Sequence, residues 1–176
     1  EKMRARKKFS ITGNKPVLLV LGGGSGSRAI NEAVERNLPK LLPYFNILHL
    51  CGKGNAMTSP PEGLVQREFE TDMGSAYACA DVALSRAGSN TAFELIALKK
   101  PTLFVPLEKS SRGDQLENAL YFEKRGLCKI LREENLDLLP ETLLAVQRDN
   151  VLLTTLKEST VGSGTGKILS IIKASY

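Results

Sequence analysis

The sequence predicts an α/β fold, a doubly wound, Rossmann-like sheet of six mostly parallel strands with helices on both faces. Three observations lead there. Six apolar, strand-length runs recur along the chain, at 17–21, 46–50, 64–69, 82–85, 102–105 and 127–131. Between most of them lie segments of helical apolar spacing, the order expected when parallel strands are joined by crossover helices. Glycine-containing turns directly follow the first and fourth runs, GGGSGS at 22–27 and RAGS at 86–89, where a strand must pass sharply into a helix.

The elements follow in order. Residues 1–15 are basic and polar and read as a solvated lead-in or linker. VLLVL at 17–21 is apolar throughout, as a strand covered on both faces is. A helix is expected over 28–42, then strands NILHL at 46–50 and LVQREF at 64–69, and a helix over 73–79. VALS at 82–85 leads to a helix over 91–98, TLFV at 102–105 to a helix over 114–125, and LCKIL at 127–131 closes the sheet. Further helices are expected after Asn135, and VGSGTG at 161–166 is a flexible break before a last helix. The chain thus divides into a lead-in at 1–15, one Rossmann-like domain at 16–160 and a C-terminal tail helix at 161–176.

A length of 176 residues, 42% of them hydrophobic, suffices for one sizeable core. No apolar run approaches the ~20 residues that span a bilayer, and no basic stretch precedes a long apolar segment, so the expectation is a cytoplasmic domain without a secretory signal. Cys51, Cys79 and Cys128 are odd in number and far apart, and His49 is the single histidine. That composition argues against a disulfide framework, a zinc site or a histidine triad, leaving reduced thiols near the core and a packed His49. Of the net charge of +5, all but one unit lies in the first eight residues, as Lys2, Arg4, Arg6, Lys7 and Lys8 against Glu1. With aromatics at only 6%, no basic, aromatic-interleaved face exists, and a nucleic-acid partner is not expected.

In such a sheet, ligands bind beyond the carboxyl ends of the strands. The first loop there, Gly22-Gly23-Gly24-Ser25-Gly26-Ser27-Arg28, enters a helix, where backbone amides and the helix dipole form an anion site. It is not a Walker A loop. Gly24-x-Gly26-x-x-Ala29 fits the relaxed dinucleotide pattern, but no acidic residue ends the second strand to hold a ribose, which weighs against NAD. A tight turn with close helix packing is the alternative reading of these glycines. The second loop, Ser85-Arg86-Ala87-Gly88-Ser89-Asn90-Thr91-Ala92-Phe93-Glu94, also runs into a helix start. There a diphosphate can sit on free amides while Glu94, about a turn further in, accepts from two vicinal ribose hydroxyls. Equally, Thr91 and Glu94 fit a capping box, in which the carboxylate serves a backbone amide. The third loop sets Asp114, Gln115 and Asn118 on the first turns of a helix, as caps or as partners for sugar hydroxyls. No DxD triplet is present to bridge a metal to a diphosphate; no cofactor is assigned, and dependence on a divalent metal is left open.

Taken in series, these motifs resemble the carboxyl-terminal domain of the MurG family. The resemblance runs through Gly22-Gly23, Gly26 and Asn31, Cys51-Gly52-Lys53-Gly54, Phe69-x-x-Asp72-Met73 and Ala80-Asp81. It continues through Arg86-x-Gly88-x-x-Thr91-x-x-Glu94, Pro101 and Pro106, and Gln115-x-x-Asn118-Ala119. That family has the GT-B fold, two Rossmann-like halves, and transfers GlcNAc from UDP-GlcNAc to undecaprenyl-pyrophosphoryl-MurNAc-pentapeptide. The resemblance implies that Glu94 binds the ribose and that Ser89, Asn90 and Thr91 face the donor diphosphate and sugar. By the same likeness Asp114 and Gln115 read the GlcNAc hydroxyls, and the backbone near Glu70 meets the uracil edge with Met73 close by. Gly22, Gly23 and Gly26 would line the cleft, and Arg86, Gly88 and Asn118 complete the substrate-binding set.

The chain departs from the family at Gly24-Ser25, where Ser-Gln is common, and at Asp114, where an amide or His is common; both bear on sugar choice and acceptor handling. The family's amino-terminal domain, with its candidate catalytic base and membrane-facing patch, has no counterpart here. The resemblance therefore implies the UDP-GlcNAc-binding half of an inverting glycosyltransferase that makes a peptidoglycan precursor, lipid I to lipid II. Its partners would be an N-terminal acceptor domain, in the same chain or a separate subunit, and through it the lipid-linked acceptor. The whole protein would be peripheral on the cytoplasmic face of the inner membrane. Two alternatives stand beside this: half of a nucleotide-sugar epimerase or hydrolase, and a non-catalytic nucleotide-sugar-binding subunit of a split transferase.

Overall fold

VLLVL forms β1 (Val17–Leu21), buried at every position, because the strand has a neighbour on each side and helices on each face. The computed structural model describes residues 1–108 and 114–162. The other strands are β2 (Asn46–Leu50), β3 (Leu64–Arg67), β4 (Val82–Ser85), β5 (Thr102–Phe104) and β6 (Lys129–Ile130). Helices α1 (Lys2–Lys8), α2 (Arg28–Leu41), α3 (Met73–Cys79), α4 (Ser89–Ala97), α5 (Asp114–Glu123), α6 (Leu139–Arg148) and α7 (Asn150–Glu158) accompany them, with a 3₁₀ segment at Glu133–Leu138. The order is β3-β2-β1-β4-β5-β6 and every pairing is parallel, with Leu19 opposite Leu48 on one side and Ala83 on the other. This is the doubly wound sheet expected, with its switch point between β1 and β4.

Local chemistry sets the helix starts. Ser27 caps α2, its hydroxyl accepting from the Ile30 amide at 3.4 Å, and Ile30, Ala33, Val34, Leu38 and Leu41 bury one stripe. Asp72 caps α3, accepting from the Ser75 amide at 3.0 Å and the Ser75 hydroxyl at 2.7 Å. Three strands are shorter than expected, the fifth by its last residue. The third ends at Arg67, whose carbonyl takes the last ladder bond from the Cys51 amide at 2.9 Å, after which the chain turns away and leaves Phe69 70% exposed. The sixth pairs only at Lys129 and Ile130, because β5 offers just three residues to it.

The basic lead-in needs correction. Residues 2–8 form α1, packed on α3, with Ala5, Phe9 and Ile11 buried. The charge count hid the apolar positions five and nine, four apart and on one helix face. Arg6 is 7% exposed, its guanidinium donating to the carbonyls of Gly13 at 2.6 Å and Lys15 at 3.1 Å, which folds the following loop onto the helix. Lys2 pairs with Asp81, and Lys8 with Asp72 at 2.6 Å. At the other end Val161 and Gly162 are not helical, and the rest of the expected tail helix lies outside the described residues. Among the described residues no helix is long and apolar enough to cross a membrane. The three cysteines are free and buried, and burial pushes the Cys128 thiol up to about 12, which makes it a poor nucleophile.

His49 is a packed core residue on β2, 1% exposed, at the centre of a polar chain. Asn31 donates its amide nitrogen to the Cys51 carbonyl at 2.9 Å, so its amide oxygen faces His49 Nε2, also at 2.9 Å, and must accept from it. On the far side, Gln66 accepts from the Met57 amide at 2.8 Å and turns its amide nitrogen to His49 Nδ1 at 3.3 Å. The neutral Nε2–H tautomer satisfies every partner; a second proton on Nδ1 would face a donor. Burial accordingly lowers the histidine to about 4. A histidine held below its unfolded value of 6.5 leaves the unfolded chain binding the extra proton between pH 6.5 and about 4. Stability is therefore full above 6.5 and falls as the pH drops through that window, by at most about 3 kcal/mol. Urea melts between pH 4 and 7 are expected to show this slope in the parent chain and a flatter one in His49→Gln; equal slopes would remove the histidine as its source.

Candidate functional site

The loops after β1 and β3, the end of β2 and the start of α4 gather at the carboxyl end of the sheet and enclose a cleft of about 520 Å³, a size suited to a small-molecule ligand. It opens at the switch point. β1 sends its chain one way across the sheet and β4 the other, so a crevice is left between their loops. Gly22, Gly23 and Gly24 form one wall, Glu68 to Met73 a second, and Asn90, Thr91 and Glu94 of α4 a third.

The first loop is held by a backbone-to-backbone contact. Gly26 has φ +81° and Gly52 φ +87°, a region that side chains avoid. A Cβ on Gly26 would run into the Cys51 carbonyl, and one on Gly52 would come within 2.5 Å of the Ser25 carbonyl oxygen. Two loops from adjacent strands therefore touch through glycine alone. The Cys51 carbonyl also accepts from Asn31 at 2.9 Å and Asn55 at 3.2 Å, which ties the contact to α2. Gly26 thus supports the cleft from beneath.

The second loop excludes the capping-box reading of Glu94. Helix α4 starts at Ser89, with Gly88 at its N-cap, φ −60° and ψ 141°, and no side chain caps it. Thr91 lies inside the helix, which begins at Ser89, so the Thr91–Glu94 capping box does not form. The first amides of α4 are left without a side-chain acceptor, at a positive helix end facing the cleft. The Glu94 carboxylate accepts instead from the Tyr77 hydroxyl at 2.6 Å.

On the second wall, Met73 lines the cleft and Glu70 folds its carboxylate back to accept from the Asp72 amide at 2.8 Å. Among the described residues, the backbone at 69–71 makes no main-chain hydrogen bond and leaves a free peptide edge toward the cleft. Lys8 holds the neighbouring Asp72 and, with Ser75, keeps its carboxyl far below the usual range. Three expected residues do other work. Arg86, 9% exposed, donates to the Val105 carbonyl at 3.0 Å and pairs with Glu133, so its guanidinium braces the far side of the sheet rather than the cleft. Asn118 donates to the Ala87 carbonyl at 3.1 Å and holds the second loop in place. Gln115 accepts from the Leu107 amide at 3.1 Å, at the end of a loop whose residues 109–113 lie outside the described ones; Asp114 is exposed at the start of α5.

Sequence reasoning missed Tyr77 and Phe69, which also line the cleft. Phe69 is a lone aromatic in an acidic run, a weak signal, while the Tyr77–Glu94 bond spans 17 residues and has no local signature. Among the described residues, no Lys or Arg lines the cleft and no three His, Cys, Asp or Glu side chains group as a metal site.

Residues 17–167 match the glycosyltransferase family 28 C-terminal domain. The chain belongs to that family. The chain is also similar to UDP-N-acetylglucosamine--N-acetylmuramyl-(pentapeptide) pyrophosphoryl-undecaprenol N-acetylglucosamine transferases. Identity is 40% to that of Clostridium botulinum (strain Loch Maree / Type A3), over 98% of this chain and 51% of the relative. It is 42% to that of Clostridium kluyveri, over 96% and 50%. The chain thus spans about half the length of the curated relatives it matches. Among solved structures it resembles Acinetobacter baumannii MurG, with TM-score 0.74, 24% identity and coverage of 96% of this chain and 53% of the other. The calicheamicin glycosyltransferase CalG4 matches with TM-score 0.74 and 16% identity over 92% and 43%. The fold of this family 28 C-terminal domain is that of one half of a two-domain GT-B glycosyltransferase. The glycine contact under its cleft gives a direct test. Gly26→Ala is expected to cost more than about 2 kcal/mol in urea melts, whereas Gly24→Ala, whose Cβ would meet nothing within 4 Å, should stay within about 0.5 kcal/mol. Equal costs would mean that the two loops do not depend on the contact.

Proposed function

We propose that the chain is the donor-binding half of an inverting N-acetylglucosaminyltransferase and holds UDP-GlcNAc in the cleft at the switch point. The observation that carries this is the pairing of an uncapped α4 start with the Glu94 carboxylate about a turn further in, both on the cleft. Free amides and the helix dipole suit a diphosphate; a carboxylate at that depth suits the two hydroxyls of a ribose. The unpaired backbone edge at 69–71 can read the uracil, with Met73 and the exposed Phe69 ring available to pack on the base. Asp114 and Gln115 are assigned to the sugar hydroxyls, Gln115 through the amide nitrogen that its bond to Leu107 leaves free.

In the reaction, the acceptor hydroxyl attacks the anomeric carbon of GlcNAc and the bond from that carbon to the diphosphate oxygen breaks. The proton goes to a base in the other domain, and UDP leaves with its new charge at the α4 start. The names of the relatives support a lipid-linked acceptor, an N-acetylmuramyl-pentapeptide on pyrophosphoryl-undecaprenol, handled by an N-terminal domain outside the half of the relatives that this chain spans. A lipid-linked acceptor supports the reading of the whole protein as peripheral on the cytoplasmic face of the inner membrane. The same names favour the transferase over an epimerase, a hydrolase or a binding subunit.

Calorimetric titration tests the site. UDP should bind the chain, and Glu94→Gln should weaken binding tenfold to a hundredfold, ~1.5 to 3 kcal/mol, with little change in a denaturant melt. UDP affinity unchanged in the variant would remove the ribose contact, and preference for NAD over UDP would overturn the assignment. The chain alone should show no turnover of a lipid-linked acceptor; robust activity would mean that the base lies within it.

A further inference from the structure

We infer that Tyr77 is a positioning residue for Glu94, orienting its carboxylate toward the ligand and so setting a preference for ribonucleotides over 2′-deoxyribonucleotides. The inference rests on the reading of Glu94 as the ribose acceptor.

Tyr77 is 6% exposed and anchored in the hydrophobic core on α3, while its hydroxyl reaches the cleft and donates to Glu94 Oε2 at 2.6 Å. Glu94 is exposed on α4 and has no other hydrogen-bond partner among the described residues. A surface glutamate with no partner samples several rotamers, and each must be given up when a ligand binds. One short, charge-assisted bond from a rigid ring removes most of that freedom beforehand. It also leaves capacity to spare. A carboxylate has about four acceptor positions, the phenol takes one, and Oε1 with the rest of Oε2 can accept from two vicinal hydroxyls.

The donor is durable. Burial first, then the bond and charge of Glu94, push the Tyr77 hydroxyl well above the ordinary phenol range, so it keeps its proton throughout the pH range of a binding experiment. The bond also spans two walls of the cleft, joining α3, which follows the base-side loop, to α4, which carries the anion-binding start. Base and ribose contacts are thereby held at a set separation, and a ligand with one hydroxyl fewer leaves part of an oriented carboxylate unpaired.

The test titrates UDP and 2′-deoxy-UDP into the parent chain, Tyr77→Phe, Glu94→Gln and the double variant. The parent should prefer UDP by about tenfold or more. Tyr77→Phe keeps the ring in the core and should lower UDP affinity about 3- to 10-fold while changing 2′-deoxy-UDP by less than about twofold. In the Glu94→Gln background the same change should have no further effect, as for two residues that act as one. Glu94→Asp, which keeps the charge but falls short of Tyr77, should lose the preference with the core untouched. Equal weakening of both nucleotides by Tyr77→Phe, or an unchanged ratio, overturns the inference and leaves the ribose reading standing. A parent chain that binds the two nucleotides equally overturns that reading and the inference together.

Discussion

Two adjacent parallel strands, β1 and β4, send their chains to opposite sides of the sheet, and the geometry of everything above them follows. Because the loops diverge, the carboxyl ends of the strands cannot be covered by a single crossover, and a crevice is left. The sheet beneath it is rigid, since β1 and β4 are buried at every position. The crevice is therefore a fixed feature, and only its lining is open to choice. Among the described residues the lining combines glycine backbone, a helix start without a side-chain cap and the carboxylates of Glu68, Glu70 and Glu94. The amides at the start of α4 are the oriented peptide dipoles of this lining.

Holding that lining in place takes polar interactions that a purely apolar core cannot provide. The glycine contact between the first two loops places the Cys51 carbonyl next to Gly26, and Asn31 completes it with a hydrogen bond. From there the chain of bonds through His49 and Gln66 reaches β3, whose end leads into the second wall of the cleft. Each member is satisfied in one tautomer only, so the network specifies a single arrangement of the strand ends. On the other side, Asn118 fixes the Ala87 carbonyl and Arg86 is locked against Val105 and Glu133, holding the turn into α4. Residues expected to touch a ligand thus position those that line the cleft.

The N-terminal helix extends the same logic outward. Its apolar side covers α3, and Lys8 reaches Asp72, the cap at the start of that helix and the end of the loop after β3. The bonds made by Asp72 to Ser75 and Lys8 hold its carboxylate charged, which keeps α3 anchored at its first turn. The segment that carries most of the net charge is thus part of the scaffold of the cleft, with Lys2 and Lys8 paired to acids and Arg6 to backbone carbonyls.

The sequence by itself determined the class of the fold, the positions of all six strands and the loops that meet above them. Those signals are local: runs such as VLLVL are apolar throughout, and the glycines after β1 and β2 mark turns at positive φ that side chains avoid. It also located Glu94, the start of α4 and the wall at Glu70 and Met73, through the order of motifs along the chain. Tertiary structure decided what the side chains do. Thr91 and Glu94 have the spacing of a capping box, yet the helix begins at Ser89, and the carboxylate is taken by Tyr77 from another helix. Arg86 lies in a ligand-like motif, but its guanidinium found a buried carbonyl and a partner 47 residues away. Hydrogen bonds between residues so far apart carry no imprint in local spacing, because their geometry exists only once the sheet has brought the elements together.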